Sequence, residues 1–229
     1  LPTIIRDMVR VQMLTGMRPG EVCSLRPEDI DRSENVWEYT PASHKTEHHE
    51  RSRIVYLGPE AQAILAPYLL RDSQSHCFSP AENMRKRRME LHQRRVTPLS
   101  CGNRPGTNRV ESPGKSPRDA YDPNSYRQAV HRACDSAFPA PGELARLPKE
   151  SKATWLGRLT DKQKLELKQL QATQRWSPNQ LRHAAATAIR KRFGLEAAQV
   201  ILGHAAADVT QVYAERDAEK AREVARQIG

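Results

Sequence analysis

Residues 177–213 read SPNQLRHAAATAIRKRFGLEAAQVILGHAAADVTQVY, and the reading of this stretch decides the fold. Its apolar residues recur at helical spacing and divide into three segments. Pro178 suits a first helical turn, where a missing N–H costs little. From there to Phe193 a broad apolar stripe carries Leu181, Ala184, Ala185, Ile189 and Phe193. Gly194 punctuates it, 195–202 predicts a second helix ended by Gly203, and 206–213 predicts a third, short one. Arg182 and His183 lie in the first turn, His204 directly follows the helix-ending Gly203, and Tyr213 comes nine residues later. Singly, each has an ordinary role: a solvated helix arginine, a histidine capping free carbonyls, a half-buried aromatic with a wet hydroxyl. Their order is what calls for a joint explanation.

Working outward, 4–14 (IIRDMVRVQML) predicts an amphipathic helix that stops at Thr15-Gly16. Pro19 at a first helical position and Glu21 in the first turn start another helix at that break. Arg18 therefore stands on a helix-entry turn, either facing a cleft or simply paired with Glu21 at the surface. The segments 36–40 (VWEYT) and 53–58 (RIVYLG) alternate apolar and polar residues and predict a hairpin around a long polar turn that contains Lys45. His44, His48 and His49 share the turn but lack Cys or carboxylate partners at ligand spacing, so no metal site is expected.

The strings Thr-Gly-Met-Arg-Pro-Gly-Glu-Val (15–22) and Asn-Gln-Leu-Arg (179–182), then Leu-Gly-His (202–204) and Tyr213, resemble the tyrosine recombinases, the phage-integrase family. The resemblance covers 1–70 and 177–215. It implies a mainly α-helical catalytic domain with a small antiparallel β-sheet on one edge, built from 36–58. The implied activity is site-specific DNA recombination, in which strands are cleaved and rejoined through a 3′-phosphotyrosine. By the same resemblance Arg18 and Arg182 would hold the nonbridging phosphate oxygens and Glu21 would steady the site. His204 would donate to the phosphate, Lys45 would protonate the departing 5′-oxygen, and Tyr213 would be the nucleophile. Asn179 departs from the family, which usually has histidine there as the base toward the tyrosine; an amide cannot take that proton. Because the phosphotyrosine conserves the bond, no cofactor and no metal is expected. Two other readings are a catalytically inactive DNA-binding relative and a type IB topoisomerase-like strand-relaxing enzyme.

The 229 residues carry a formal net charge of +10, which points to a polyanionic partner, here double-stranded DNA. The charge is concentrated in 81–132, with twelve Lys or Arg against five Asp or Glu. Its helical part, 84–95, has basic residues nearly all round, so Arg85, Lys86, Arg87, Arg88, Arg94 and Arg95 are candidate phosphate contacts. Residues 100–123 read as a loop. The whole of 1–229 is expected to be one catalytic domain, with 81–132 a basic insertion and 139–176 an extended helical connection. The chain opens on Leu1-Pro2 without an initiator Met and reads as a fragment lacking the family's amino-terminal DNA-clamping domain. The charged tail after Tyr213 predicts a helix with a narrow apolar stripe. By the resemblance it serves self-association on DNA, in a tetrameric synapse. No apolar run reaches membrane-spanning length. Four cysteines without Cys-x-x-Cys spacing read as reduced thiols, and the expected location is cytoplasmic, at the nucleoid.

Overall fold

A computed structural model describes residues 1–42, 53–98, 100–101 and 116–203. The chain begins with α1 (Thr3–Thr15), whose Ile4, Ile5, Met8, Val9 and Val11 are buried. Gly16 ends it in the left-handed region, φ 65°, and its N–H returns to the Gln12 carbonyl at 2.9 Å. A Cβ at Gly16 would stand 2.8 Å from Leu202 Cδ2, so the position needs glycine for closeness as well as for φ. The short α2 (Pro19–Ser24) follows, with Pro19 at N1 and Glu21 in the first turn as expected.

The sheet is antiparallel and has three strands: β1 (Ile30–Asp31), β2 (Trp37–Tyr39) and β3 (Val55–Leu57) in that order. Tyr39 is the hinge of the register, opposite Ile30 on one side and Val55 on the other. The hairpin expected over 36–58 is present; β1 is an addition, because two residues are too few for alternation to announce a strand. α3 (Pro59–Leu65) follows the sheet. At Ala66–Tyr68 it tightens into a 3-10 turn, since Pro67 has no N–H to continue the α ladder. Together these elements enclose the main core with α5 (Pro123–Ala137), which adds Tyr126, Val130 and Cys134.

Between them runs α4 (Pro80–Gln93), capped by the Ser79 hydroxyl and burying no residue of its own. After α5 the chain forms a 3-10 turn at Gly142–Leu144, then α6 (Lys152–Arg158) and α7 (Asp161–Gln174). The segment has a small core of its own, Leu144, Leu159 and Leu167 with Trp155 packed against them, and the Trp155 indole N–H donates to the Leu144 carbonyl at 3.0 Å. A two-pronged Arg175–Asp135 pair, 2.7 and 2.8 Å, ties its end to α5.

The last described elements are α8 (Pro178–Phe193) and α9 (Leu195–Leu202). The apolar stripe expected on α8 is rotated. Arg182, Ala185 and Ala186 face inward, Leu181 and Ile189 are half-buried, and Ala184 and Phe193 are exposed. The reason is Arg182, whose guanidinium is drawn into the core by backbone carbonyls. Among the described residues no helix is long and apolar enough to cross a membrane.

All four cysteines are free; Cys23, Cys77 and Cys134 are buried and Cys101 is exposed. Burial pushes the thiols of Cys23 and Cys77 up to about 12, well away from the reactive thiolate. Alkylation of the native protein at pH 8 is therefore expected to modify Cys101 alone, and denaturant to expose the rest. Intact-mass spectrometry reads the difference; rapid native labelling of Cys23 or Cys77 would contradict this packing.

Candidate active site

Glu21 is the centre of the first half of the site. As the N3 residue of α2, its Oε2 accepts the Arg18 backbone N–H at 2.6 Å, and its Oε1 accepts from Arg18 Nη1 at 2.8 Å. A second arginine, Arg53, approaches the same Oε1 through Nε at 3.4 Å. Tyr39 fastens the turn from the sheet side, its hydroxyl donating to the Glu21 carbonyl at 2.8 Å. Glu21 is 4% exposed. Burial by itself raises its carboxyl, but Arg53, with the Arg18 backbone and guanidinium, outweighs it and holds the group below the usual carboxylate range. Arg18 thus has one edge spent on Glu21 while its side chain stays partly exposed. Of the two positions set as alternatives from sequence, the pairing with Glu21 is present.

Arg182 is the centre of the second half and is 5% exposed. Its Nη1 donates to the Gly16 carbonyl at 2.7 Å and its Nη2 to the Leu202 carbonyl at 2.8 Å. One guanidinium so joins the end of α1, two residues before Arg18, to the end of α9. Gln12, wholly buried, adds a second bond between the halves. Its Nε2 donates to the Met17 carbonyl at 3.2 Å and the Pro178 carbonyl at 2.9 Å, while its Oε1 accepts from the Tyr126 hydroxyl at 3.1 Å. The turn carrying Arg18 and the helix carrying Arg182 are therefore bolted together by buried, satisfied polar groups.

The end of α9 repays an accounting of its carbonyls, the last four of which have no partner within a helix. Gly203, at φ 62°, directs its N–H to Gln199 and Val200. Arg53 Nη1 donates to Ile201 at 3.1 Å, and Arg182 takes Leu202. Every one is engaged, and two cations sit where the helix dipole is negative. This fixes where the chain leaves α9 toward His204.

Of the expected site residues, Arg18, Glu21 and Arg182 are brought to one place. Asn179 is exposed on the first turn of α8, and its side-chain nitrogen donates to His183 Nε2 at 3.1 Å. Lys45, His204 and Tyr213 lie outside the described residues, as do His44, His48, His49 and the charged tail. On α4 and just beyond it, Arg85, Lys86, Arg87, Arg88 and Arg94 are exposed and Arg95 is half-buried; Lys86 pairs with Glu82 at 3.1 Å. Sequence reasoning missed Gln12 and Arg53. Both had a signal: Gln12 falls on the apolar stripe of α1, and Arg53 has the parity of Val55 and Leu57, the two buried residues of β3.

No protein-family profile matches the chain, and no curated protein matches it. Solved structures do. The crystal structure of XerA recombinase matches at a TM-score of 0.51 and 18% identity, over 98% of this chain and 56% of that one. The Tn1549 transposon integrase in complex with circular intermediate DNA matches at 0.50 and 16%, over 97% of this chain and 59% of that one. The chain spans little more than half the length of these structures. A mainly helical chain with a three-stranded antiparallel sheet, matched over nearly its whole length, has the fold of the tyrosine-recombinase catalytic domain.

Proposed function

We propose that this chain is the catalytic domain of a site-specific DNA recombinase that works through a 3′-phosphotyrosine. The observation that carries the reading is the join between the Arg18–Glu21 turn, Arg182 and the α9 end. Each lies on the motif that suggested it, in a fold whose solved examples include a recombinase and an integrase held with DNA. Residues 1–229 act as one domain, and the exposed basic helix α4 lies along DNA phosphates outside the scissile site.

In this reading the phosphodiester is held by Arg18 and Arg182, whose permanent charge and forked donors suit nonbridging oxygens that gain charge during attack. The Tyr213 oxygen forms the new bond to phosphorus as the bond to the 5′-oxygen breaks. Lys45 gives that oxygen its proton, and His204 donates to the phosphate. A 5′-hydroxyl from a partner strand reverses the step. A phenol with pKa near ~10 must lose its proton on the way. Asn179 cannot take it, but its bond to His183 places a titratable imidazole one helical turn from the position where the family has histidine. The tail after Tyr213 serves self-association of protomers on DNA.

Covalent trapping tests the reading. The full-length protein is mixed with nicked suicide DNA carrying candidate sites, and denaturing gels should give a protein–DNA band that Tyr213→Phe abolishes. Absence of the band on DNA that the protein demonstrably binds would favour an inactive DNA-binding relative, a possibility that Asn179 keeps in view. Relaxation of plasmid without any special site would favour the topoisomerase-like reading.

A further inference from the structure

We infer that Arg53, at the foot of β3, is a positioning residue that sets the Arg18–Glu21 turn and the Gly203 exit of α9 in register with each other. The inference rests on the recombinase reading. Arg53 is 5% exposed, as deeply buried as Arg182, and a guanidinium is not buried without purpose. Its donors reach two separate pieces of the site as well as its own neighbour. Nε faces Glu21 Oε1 at 3.4 Å, while Nη1 donates both to its neighbour's carbonyl, Ile54, at 2.9 Å and to Ile201 at 3.1 Å. The carboxylate that orients Arg18 and the carbonyl row that ends α9 are thus held by one rigid plane.

Gly203 shows how close the fit is. A Cβ there would stand 2.6 Å from Arg53 Nη1 and 3.2 Å from its Cδ and Cζ, so the glycine before His204 leaves room for this guanidinium as well as supplying φ 62°. Arg53 stands two residues before β3, at the entry to the strand that pairs with β2. One residue therefore links the Arg18–Glu21 turn, the entry to β3 and the end of α9. The Nη2 of Arg53 is buried and has no hydrogen-bond partner among the described residues. Within a fold that satisfies the other donors around it, such an orphan marks a group kept for geometry at the expense of stability.

A lysine at 53 keeps the charge beside Glu21 but cannot span to Ile201 with a flat fork. In the full-length protein, Arg53→Lys is expected to fold and to bind DNA with unchanged affinity. Single-turnover cleavage of suicide DNA at saturating protein should nevertheless fall about 10²-fold, the scale of a ~1 Å misplacement. Without DNA, amide hydrogen exchange at 199–203 should speed up, because the last turn of α9 loses a cap. Arg53→Met, which also removes the second cation beside Glu21, should be worse in both. An Arg53→Lys protein with unaltered exchange and unaltered cleavage would overturn the inference. So would a rate loss that tracks the folded fraction or disappears with more protein, since Arg53 would then only support the fold. If the unaltered protein forms no adduct, the recombinase reading is what fails, and the exchange measurement alone decides whether Arg53 holds the α9 end.

Discussion

Arg182→Lys is expected to reduce strand cleavage by about 10²–10³-fold, the loss that follows removal of one preorganised donor from a phosphoryl or acyl site. The same change should lower the melting temperature by roughly 2–12 °C. The two numbers come from different parts of the side chain's work. Structurally, Arg182 bridges the Gly16 and Leu202 carbonyls, and an ammonium on a flexible stem can reach one of them. The other is stranded in the interior, at a cost of about 1–3 kcal/mol. In a protein of this size each kcal/mol moves the midpoint by roughly 2–4 °C. Catalytically, the guanidinium is held by those two carbonyls in one orientation before any substrate arrives, which is what makes a donor effective toward a charge that develops during attack. Thermal melts by circular dichroism and single-turnover trapping on one preparation separate the effects. A well-folded Arg182→Lys protein that cleaves at the unaltered rate would leave Arg182 a structural brace only.

How far the sequence alone could go is visible in α8 and β3. The helices α1, α2, α8 and α9 and the Gly16 and Gly203 stops were legible, because capping and periodicity are local. The face of α8 was not. Periodicity treats arginine as polar and turns it outward, whereas carbonyls from α1 and α9, both distant in sequence, turn it inward. Tertiary satisfaction of a cation overrides a weak stripe made mostly of alanines. Arg53 is the mirror case. Its parity with Val55 and Leu57 placed it on the buried face, but only the position of Glu21 shows why a charge can stand there. The small core of 139–176 escaped notice because its three leucines come from a 3-10 turn, an inter-helix joint and α7, with no common period.

Glu21→Gln should be the most damaging change to stability among the described site residues, by about 3–5 kcal/mol at neutral pH. Gln is nearly isosteric and can still accept the Arg18 N–H, so little packing is lost. What is lost is the charge that justifies burying Arg53, a cation that burial already disfavours and Glu21 sustains. The pH dependence has a definite sign. The folded protein holds the Glu21 carboxyl below its ordinary value, near ~4.3 for an unfolded glutamate, so the folded state binds the proton less readily than the unfolded one. The contribution is therefore complete above that ordinary value and drains away as pH falls through the lower, folded one. Urea unfolding of both proteins from neutral pH down to pH 3 should show the gap between them narrowing at the acid end. A gap of constant size would mean that Glu21 acts by shape and hydrogen bonding alone. Because Arg18 takes its direction from the same carboxylate, the Gln variant should also cleave DNA more slowly under conditions where it is fully folded. In the proposed reading stability and catalysis would meet in one buried group, because the carboxylate that neutralises Arg53 is the one that holds Arg18.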